Sequence, residues 1–443
     1  MQNQGIRDAR SLGTPKLLVL GLQHMFAMFG ATVLVPALTG LSVSATLLFA
    51  GLGTLFFHFV TKGKVPAFLG SSFAYLAGYA AIAPNGEAAL LPYACVGVAA
   101  SGLLYLILAA LVRGFGANRV MRVFPPVVTG PIIICIGMTL ANSAINNCTG
   151  SWDIALVAIL TVVIFNIWGK GMLRIIPILL GVLVSYVYAA VTGRVDFSGV
   201  ASAAWIGLPV KMENTVFSLI GNCDANLLVT AIIAIMPIAF ATMIEHIGDI
   251  CAISSTVGAN FIADPGLHRT LLGDGLATSI ASLFGAPANT TYGENTGVLA
   301  LTRVYDPLVI RLAAVYAIIA SFCPKFAALV SAMPTGTIGG VSLILYGMIS
   351  AIGVRNLVEN RVDLAKSRNV IVVSLIISLA LGITFSAAGA ITFHVGEFTL
   401  NFSGLAVAAI VGIVVNAILP GKDYNFQNDY EYGKTTEDHG QML

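Results

Sequence analysis

The sequence predicts an all-α integral membrane fold with fourteen membrane-spanning segments, from its composition, its apolar runs and the placement of its charges. Of the 443 residues, 57% are hydrophobic and 9% are charged, whereas about 25% of a typical soluble domain is charged. Apolar runs of about 20 residues, each long enough to cross the hydrocarbon core, recur along the whole chain. The net charge of +2 gives no basic surface for nucleic acid, so we expect the lipid bilayer as the chain's main partner.

The fourteen spans are predicted from the apolar runs, and the third, ninth and tenth are short or interrupted by proline and glycine. They lie at residues 17–37, 42–61, 66–83, 90–112, 124–143, 151–168, 173–192, 226–250, 270–285, 290–303, 307–324, 335–353, 369–387 and 402–419.

The basic residues test this count independently. With the amino end inside, 19 of the 22 lysines and arginines fall on the inner side, and Arg194, Lys211 and Lys325 fall outside. Inner connections of membrane proteins carry such an excess. We therefore expect both tails, 1–16 and 420–443, in the cytoplasm, and the loop 193–225 over the outer face.

Two pairs of segments echo each other seven spans apart. Gln23-His24 in the first span matches Glu245-His246 in the eighth, and the third and tenth spans both open with proline followed by small, polar and aromatic residues. Because seven is odd, the second copy would be inverted, as in many transporters. The sequence thus predicts two inverted seven-span repeats with short extended breaks in spans three and ten.

The two breaks form the first candidate site. Between Pro287 and Gly293 the residues suit extended backbone, with helix resuming near Asn295. Freed backbone groups at bilayer depth must be buried in protein or line a cavity. Half-helix amino ends favour carbonyl oxygens or an anion, and Glu294 would accept from ligand N–H groups. The expected ligand is a flat heterocycle stacked on Phe73 or Tyr292; the alternative is a structural kink with Glu294 bonded to nearby backbone.

Glu245 and Asp249 form the second candidate site, because residues four apart share one helix face. Two carboxylates this close in a low dielectric can hold a proton between them. Alternatively, Asp249 is a hydrated residue at the inner helix end. Asp274 either caps span nine or joins the proton network, and His24 either contacts substrate or is a hydrogen-bonded structural residue.

Other chemistries find little support in the sequence. There is no His-Glu-x-x-His helix, no Cys/His ligand spacing and no phosphate-binding glycine loop, so no metal and no cofactor is predicted and an enzyme is disfavoured. The six cysteines are scattered and are expected to pack as small apolar groups. An anion channel or exchanger is the stronger rival, but buried carboxylates disfavour an anionic ligand.

The segment 294–303 resembles the signature of the nucleobase–ascorbate transporter (nucleobase:cation symporter-2) family. That signature is an acid or amide, Asn, a variable residue, Gly, four more residues, Thr and a basic residue; it is matched here by Glu294, Asn295, Gly297, Thr302 and Arg303. Gln23-His24, the span-three break, the span-eight motif and Asp274 are also similar to family positions. The likeness covers residues 15–420.

This resemblance implies a core domain, 17–112 with 226–324, that moves against a gate domain, 113–192 with 325–419. It also implies alternating access, proton symport and a homodimer. With glutamate at position 294, the chain resembles the bacterial uracil permeases of the cytoplasmic membrane. That likeness places uracil among Phe73, Tyr292, Glu245 and Glu294, beside Ser72 and Gly293, with Glu245, Asp249, Glu294, His24 and Asp274 as proton-coupling residues. Uracil permeases of the best-known type carry His where this chain has Asp249, so a purine, xanthine or urate, stays open.

Overall fold

The computed structural model describes residues 5–221, 223–395 and 398–422. The α-helices are α1 (Thr14–Thr39), α2 (Val43–Val60), α3 (Leu76–Ile82), α4 (Leu91–Phe115), α5 (Ala117–Met121), α6 (Pro126–Cys148), α7 (Trp152–Ile167), α8 (Met172–Ile175), α9 (Pro177–Val191), α10 (Ser198–Ser202), α11 (Ala225–Ile235), α12 (Ala239–Val257), α13 (Leu267–Leu283), α14 (Glu294–Thr302), α15 (Pro307–Ser321), α16 (Pro324–Ser331), α17 (Thr335–Glu359), α18 (Ser367–Thr384) and α19 (Gly404–Ile418). The strands are β1 (Leu69–Ser71), β2 (Asn289–Thr291), β3 (Ala390–Val395) and β4 (Phe398–Ser403).

The helices confirm the prediction of a polytopic membrane protein. Within the described ranges, seven helical segments are long and apolar enough to cross a membrane. The pair α15 and α16, bent by 88°, would make an eighth if it is one span. The remaining apolar helices are shorter, so the count of fourteen crossings stays a prediction.

The helix of the eighth predicted span is longer than the span. The span was predicted at residues 226–250, and α12 continues to Val257. The polar side chains of His246 and Asp249, just before that edge, are buried against protein, so they do not mark a boundary with water.

The predicted extended breaks in spans three and ten are confirmed as β1 and β2. The two strands pair antiparallel, with Leu69 opposite Thr291, Gly70 opposite Thr290 and Ser71 opposite Asn289. Both strands are buried throughout, so each break satisfies the backbone groups that the other exposes.

Small residues set how closely the helices pack, as expected where lipid supplies no hydrophobic drive between helices. A Cβ on Gly353 of α17 would lie 2.6 Å from the Gly130 carbonyl oxygen of α6. A Cβ on Gly102 of α4 would lie 2.4 Å from the Gly275 carbonyl oxygen of α13. The bundle that holds the site is thus built on backbone contact between helices.

The antiparallel hairpin of β3 and β4 was not predicted. Residues 402 and 403 were assigned to the last span, whereas both belong to β4, and α19 begins only at Gly404. Polar and apolar residues alternate along 391–395 and 398–403, which is the strand period, but the apolar run that follows masked this signal.

Candidate functional site

The candidate site lies where the two broken spans cross. Beyond the paired residues, the Ser72 amide donates to the Ala288 carbonyl at 2.9 Å, and the Tyr292 amide donates to the Phe68 carbonyl at 3.0 Å. On either side, α3 and α14 lead away from the crossing as short helices. The crossing therefore brings two half-helix beginnings to one buried position, as the sequence indicated.

Tyr292 hydrogen-bonds across the crossing of the two broken spans. Its hydroxyl donates to the Ser71 carbonyl oxygen at 2.9 Å and lies 3.2 Å from the Ser71 hydroxyl. The Ser71 hydroxyl donates in turn to the Thr32 carbonyl of α1 at 2.8 Å. A Cβ on Gly70 would lie 2.5 Å from the Tyr292 ring carbon Cζ, so glycine is needed for the ring to fit there. Tyr292 therefore joins the segment after β2 to β1. Its stacking on a ligand stays a prediction.

A polar network joins α12 and α13 to β2. The Asp274 carboxylate accepts from the Thr291 amide at 2.9 Å and lies 3.4 Å from His246 Nδ1. The Thr291 hydroxyl lies 3.0 Å from His246 Nδ1 and reaches the Asp249 carboxylate at 3.5 Å. These side chains are all buried, so two carboxylates and an imidazole share one enclosed network.

One alternative for Asp274 and one for Asp249 are wrong. Asp274 does not cap span nine: α13 begins at Leu267 after Gly266, which leaves Asp274 in the helix interior, with none of its side chain exposed. Asp249 is not a hydrated helix-end residue, because α12 continues two turns beyond it and its side chain is buried. Both acids face the crossing instead.

The start of α14 lies against Asp249. A Cβ on Gly293 would lie 2.6 Å from Asp249 Oδ1, whereas a Cβ on Gly297 would meet no described atom within 4 Å. Glu245 is half-buried one turn before Asp249 on α12. The backbone of Glu294 opens α14, but its side chain lies outside the described part of the structure, so its predicted role is untested.

His24 occupies a corresponding position in the first half. Its Nδ1 lies 2.9 Å from the Asn295 amide oxygen, and the Asn295 amide nitrogen donates to the Pro66 carbonyl at 3.0 Å. Gln23 is also buried on α1. His24 and Asn295 therefore tie α1 and α14 to the segment before β1, and direct contact of His24 with substrate stays a prediction.

Phe73 and Ser72 follow β1 directly. Phe73 is buried, and its ring meets the Tyr346 ring of α17 edge to face at 5.8 Å. The Ser72 hydroxyl is buried and has no hydrogen-bond partner among the described residues. Beside them lies a narrow cleft of about 20 Å³, lined by Ala74 and Ala77 on one side and Ile136 and Leu140 on the other.

The family-like signature ends as predicted. Thr302 is the last residue of α14, and Arg303 follows with a left-handed φ of 53°. The Arg303 carbonyl accepts from the Ile6 amide at 2.8 Å, so the amino-terminal tail is joined to the end of the signature. Gly297 is exposed.

Sequence reasoning missed the hydroxyls that connect the network. Thr54 donates to the Leu69 carbonyl at 3.3 Å and accepts from the Leu69 amide at 2.9 Å, and Thr278 donates to the Asn289 carbonyl at 2.9 Å. His58 Nε2 of α2 lies 2.9 Å from the Ala67 carbonyl, just before β1. The available signal was the position of Thr54 and Thr278 in the spans just before each break.

Comparison with known proteins places the chain in a family. The Permease family profile (Xan_ur_permease) matches residues 15–389. The chain is 42% identical over 437 residues to a uracil permease of Bacillus caldolyticus, covering 96% of each chain. It is 38% identical over 410 residues to the uracil permease of Escherichia coli K12, covering 90% of each.

Solved structures show the same fold at low identity. The transmembrane domain of the cyanobacterial bicarbonate transporter BicA matches with a TM-score of 0.59 and 13% identity, over 94% of this chain and all of that one. SLC26A9 matches with a TM-score of 0.63 and 12% identity, over 90% of this chain and 64% of that one. From the match over residues 15–389 and the close relatives, the chain belongs to this permease family and is a membrane transport protein, not an enzyme.

Proposed function

We propose that the protein is a proton-coupled symporter that imports uracil across a bacterial cytoplasmic membrane. The observation that carries the proposal is the paired crossing of β1 and β2, with buried acids on the helices against it. The names of relatives about 40% identical to this chain, uracil permeases of two Bacillus species, support the substrate.

The crossing offers groups that suit a planar molecule with alternating N–H and C=O edges. Glu245 lies half-buried on the face of α12 that carries Asp249, and the signature places Glu294 at the start of α14. Carboxylates accept from ring N–H groups, and backbone amides at helix starts donate to ring carbonyls. Phe73 supplies an aromatic surface directly after β1, and Ser72 and Gly293 complete the proposed substrate shell.

Proton coupling is assigned to the buried acids of the network. Asp274 Oδ2 is buried and has no hydrogen-bond partner among the described residues, so it can carry a proton without breaking the bond to Thr291. Glu245 and Asp249 are one turn apart, which disfavours two negative charges at once. Each proton carried inward gains about 2.3 kcal/mol per 100 mV of membrane potential, and His24 and Glu294 complete the proposed route.

Alternating access is the proposed means of movement, with fourteen spans in two inverted sevens. The core domain would be 17–112 with 226–324 and the gate domain 113–192 with 325–419. The cleft between Ala74 and Ile136, and the contact of Phe73 with Tyr346, both join these two parts. We also propose a homodimer with both termini in the cytoplasm.

A purine is the second candidate substrate, because Asp249 stands where uracil permeases of the best-known type carry His. An anion exchanger is less well supported. The solved structures whose titles name anion transport, a bicarbonate transporter and murine Slc26a9, share 13% identity or less, and the buried acids at the crossing would repel an anion.

Uptake of radiolabelled uracil into proteoliposomes tests the proposal, with and without an inward proton gradient and with unlabelled xanthine as competitor. We expect uptake that requires the gradient and ignores xanthine. Uptake blocked by xanthine would replace uracil with a purine, and uptake independent of the gradient would refute proton coupling. A lack of uptake of either base by protein that is folded and inserted would refute the proposal as a whole.

A further inference from the structure

A group of basic side chains from three helices converges at one end of the bundle, away from the crossing. It consists of Lys62 after α2, Arg113 near the end of α4, and His268 and Arg269 at the start of α13; we refer to it as the inner cationic cluster. The charge distribution assigns these residues to the cytoplasmic side. None of them takes part in the transport site described above.

Helix packing fixes how close these residues lie. The Ser279 hydroxyl donates to the Ala99 carbonyl at 2.9 Å, and a Cβ on Gly275 would lie 2.3 Å from Tyr105 Cβ. Residues later in α4 therefore contact residues earlier in α13, so the two helices are antiparallel. About two further turns along each helix from this contact, at about 3.6 residues per turn, bring Arg113 to the level of His268.

The end of α2 is joined to the same place. Arg269 Nη1 donates to the Val60 carbonyl at 2.9 Å, two residues before Lys62. The pKa of His268, which lies before the predicted ninth span, is lowered by burial and next by the charges of Arg269, Arg113 and Lys62. The charges of Arg269, Arg113 and Lys62 thus all act on His268, which is the neutral member of the cluster near pH 7.

Little acid offsets this charge. Within the segments 59–66, 110–125 and 258–272, which contain the cluster, the only acidic residue is Asp264. Its carboxylate is paired with Lys64. A set of cations gathered from three helices, without matching acids, favours an anionic ligand.

Two of the helices that carry the cluster also expose large apolar side chains. Phe59 of α2 is 81% exposed and Phe115 of α4 is 60% exposed. Leu103, Ile107 and Leu111 extend the exposed stripe along α4 at one-turn intervals. Large apolar side chains within three residues of these cations match both parts of a phospholipid, the acyl chains and the phosphate. A free phosphate ion has no acyl chains that could contact the apolar side chains.

We propose that the inner cationic cluster, flanked by Phe59 and Phe115, is a binding site for the headgroup of an anionic phospholipid at the cytoplasmic face of the core. The positive-inside rule alone requires cations at this depth, but not their convergence from separate helices. The proposal does not depend on the identity of the transported base.

Lipid binding to the purified protein in detergent tests this site by native mass spectrometry. The probes are dioleoyl phosphatidylglycerol and its neutral counterpart phosphatidylcholine. We expect the wild type to retain phosphatidylglycerol preferentially, and Lys62→Gln/Arg113→Gln to weaken that binding about 30-fold, from the usual attraction per cation. Both side chains are exposed, and Arg269 is left in place because it bonds Val60.

The matched control is Lys170→Gln/Arg174→Gln, which removes two exposed cations from another predicted inner connection and should leave binding unchanged. Equal retention of the two lipids, or unchanged binding in the cluster variant, would overturn the proposal. Displacement of phosphatidylglycerol by inorganic phosphate at matched ionic strength would identify a free-anion site and also overturn it. If the cluster variant does not fold, retention of each lipid by the wild type is measured at rising salt concentration. The proposal requires that salt weakens retention of phosphatidylglycerol but not of phosphatidylcholine.

Discussion

Replacing Gly293 by alanine tests whether the contact between α14 and Asp249 is part of the transport site. The new Cβ would lie 2.6 Å from Asp249 Oδ1 and 3.4 Å from its Cγ. Carbon and oxygen normally approach to about 3.3–3.6 Å, so the carboxylate or the start of α14 must move by roughly 0.8 Å. The backbone itself accepts alanine, because Gly293 has φ −64° and ψ −29°.

The expected result is loss of transport with a smaller loss of stability. Overpacking of this kind costs about 1–3 kcal/mol of folding free energy, whereas displacement of a functional group by nearly 1 Å lowers a rate by up to about 100-fold. Initial rates of uracil uptake in proteoliposomes measure the first effect, and thermal unfolding of the purified protein measures the second. We expect uptake to fall at least about tenfold in protein that still folds.

Gly297→Ala is the matched control, because it makes the same chemical change one turn later, where the added Cβ meets none of the atoms that the structure describes within 4 Å. Alanine is favoured over glycine in a helix by about 1 kcal/mol, so Gly297→Ala should fold at least as well and transport normally. Wild-type uptake by Gly293→Ala would refute the assignment of Asp249 and the start of α14 to the site. Equal loss in both variants would show that the effect comes from altering α14 in general.

Three further changes probe the network and the outer face. Tyr292→Phe removes a hydroxyl that bonds the β1 backbone and should cost about 1 kcal/mol of folding free energy; an unchanged melting temperature would show that the bond adds nothing. Asp274→Asn keeps an acceptor for the Thr291 amide, so we expect a folded protein whose uracil uptake no longer responds to a proton gradient, whereas Asp274→Ala leaves that amide unpaired at a cost of about 1–3 kcal/mol. Gradient-driven uptake by the Asn variant would exclude Asp274 from coupling. Arg194 Nη1 donates to the Asp153 carboxylate at the start of α7 at 2.9 Å, and Asp153→Asn removes the charge from this bond. Asp153→Asn should therefore lower the melting temperature, and identical melting curves for the two proteins would contradict it.

Much of the fold could be predicted because the bilayer restricts the choices. A break in a span must pair its backbone groups with protein. The positions of β1 and β2 could therefore be predicted from the sequence, from Pro66, Pro287 and the polar residues that follow them. The edge of α12 could not be placed in this way. Hydropathy cannot distinguish an acid that faces water from one that faces a buried network, as Asp249 does.

The partners within the site were also beyond sequence reasoning. The prediction brought Asp274 near the site, but the bond of Asp274 to the Thr291 amide depends on how α13 lies against β2. The hairpin of β3 and β4 was missed because its alternating pattern runs into the apolar residues of α19. Side-chain geometry at a crossing of distant segments requires the packed structure.

The central claim is that the crossing of the two broken spans holds uracil through Glu294, and equilibrium binding tests it most directly. Calorimetric titration of purified protein with uracil should give similar affinities for the wild type and for Glu213→Gln, a control on an exposed outer-loop residue. Glu294→Gln should fold normally but bind at least about tenfold more weakly, because a hydrogen bond to a charged acceptor contributes about 1.5–3 kcal/mol. Wild-type affinity in Glu294→Gln would contradict the account.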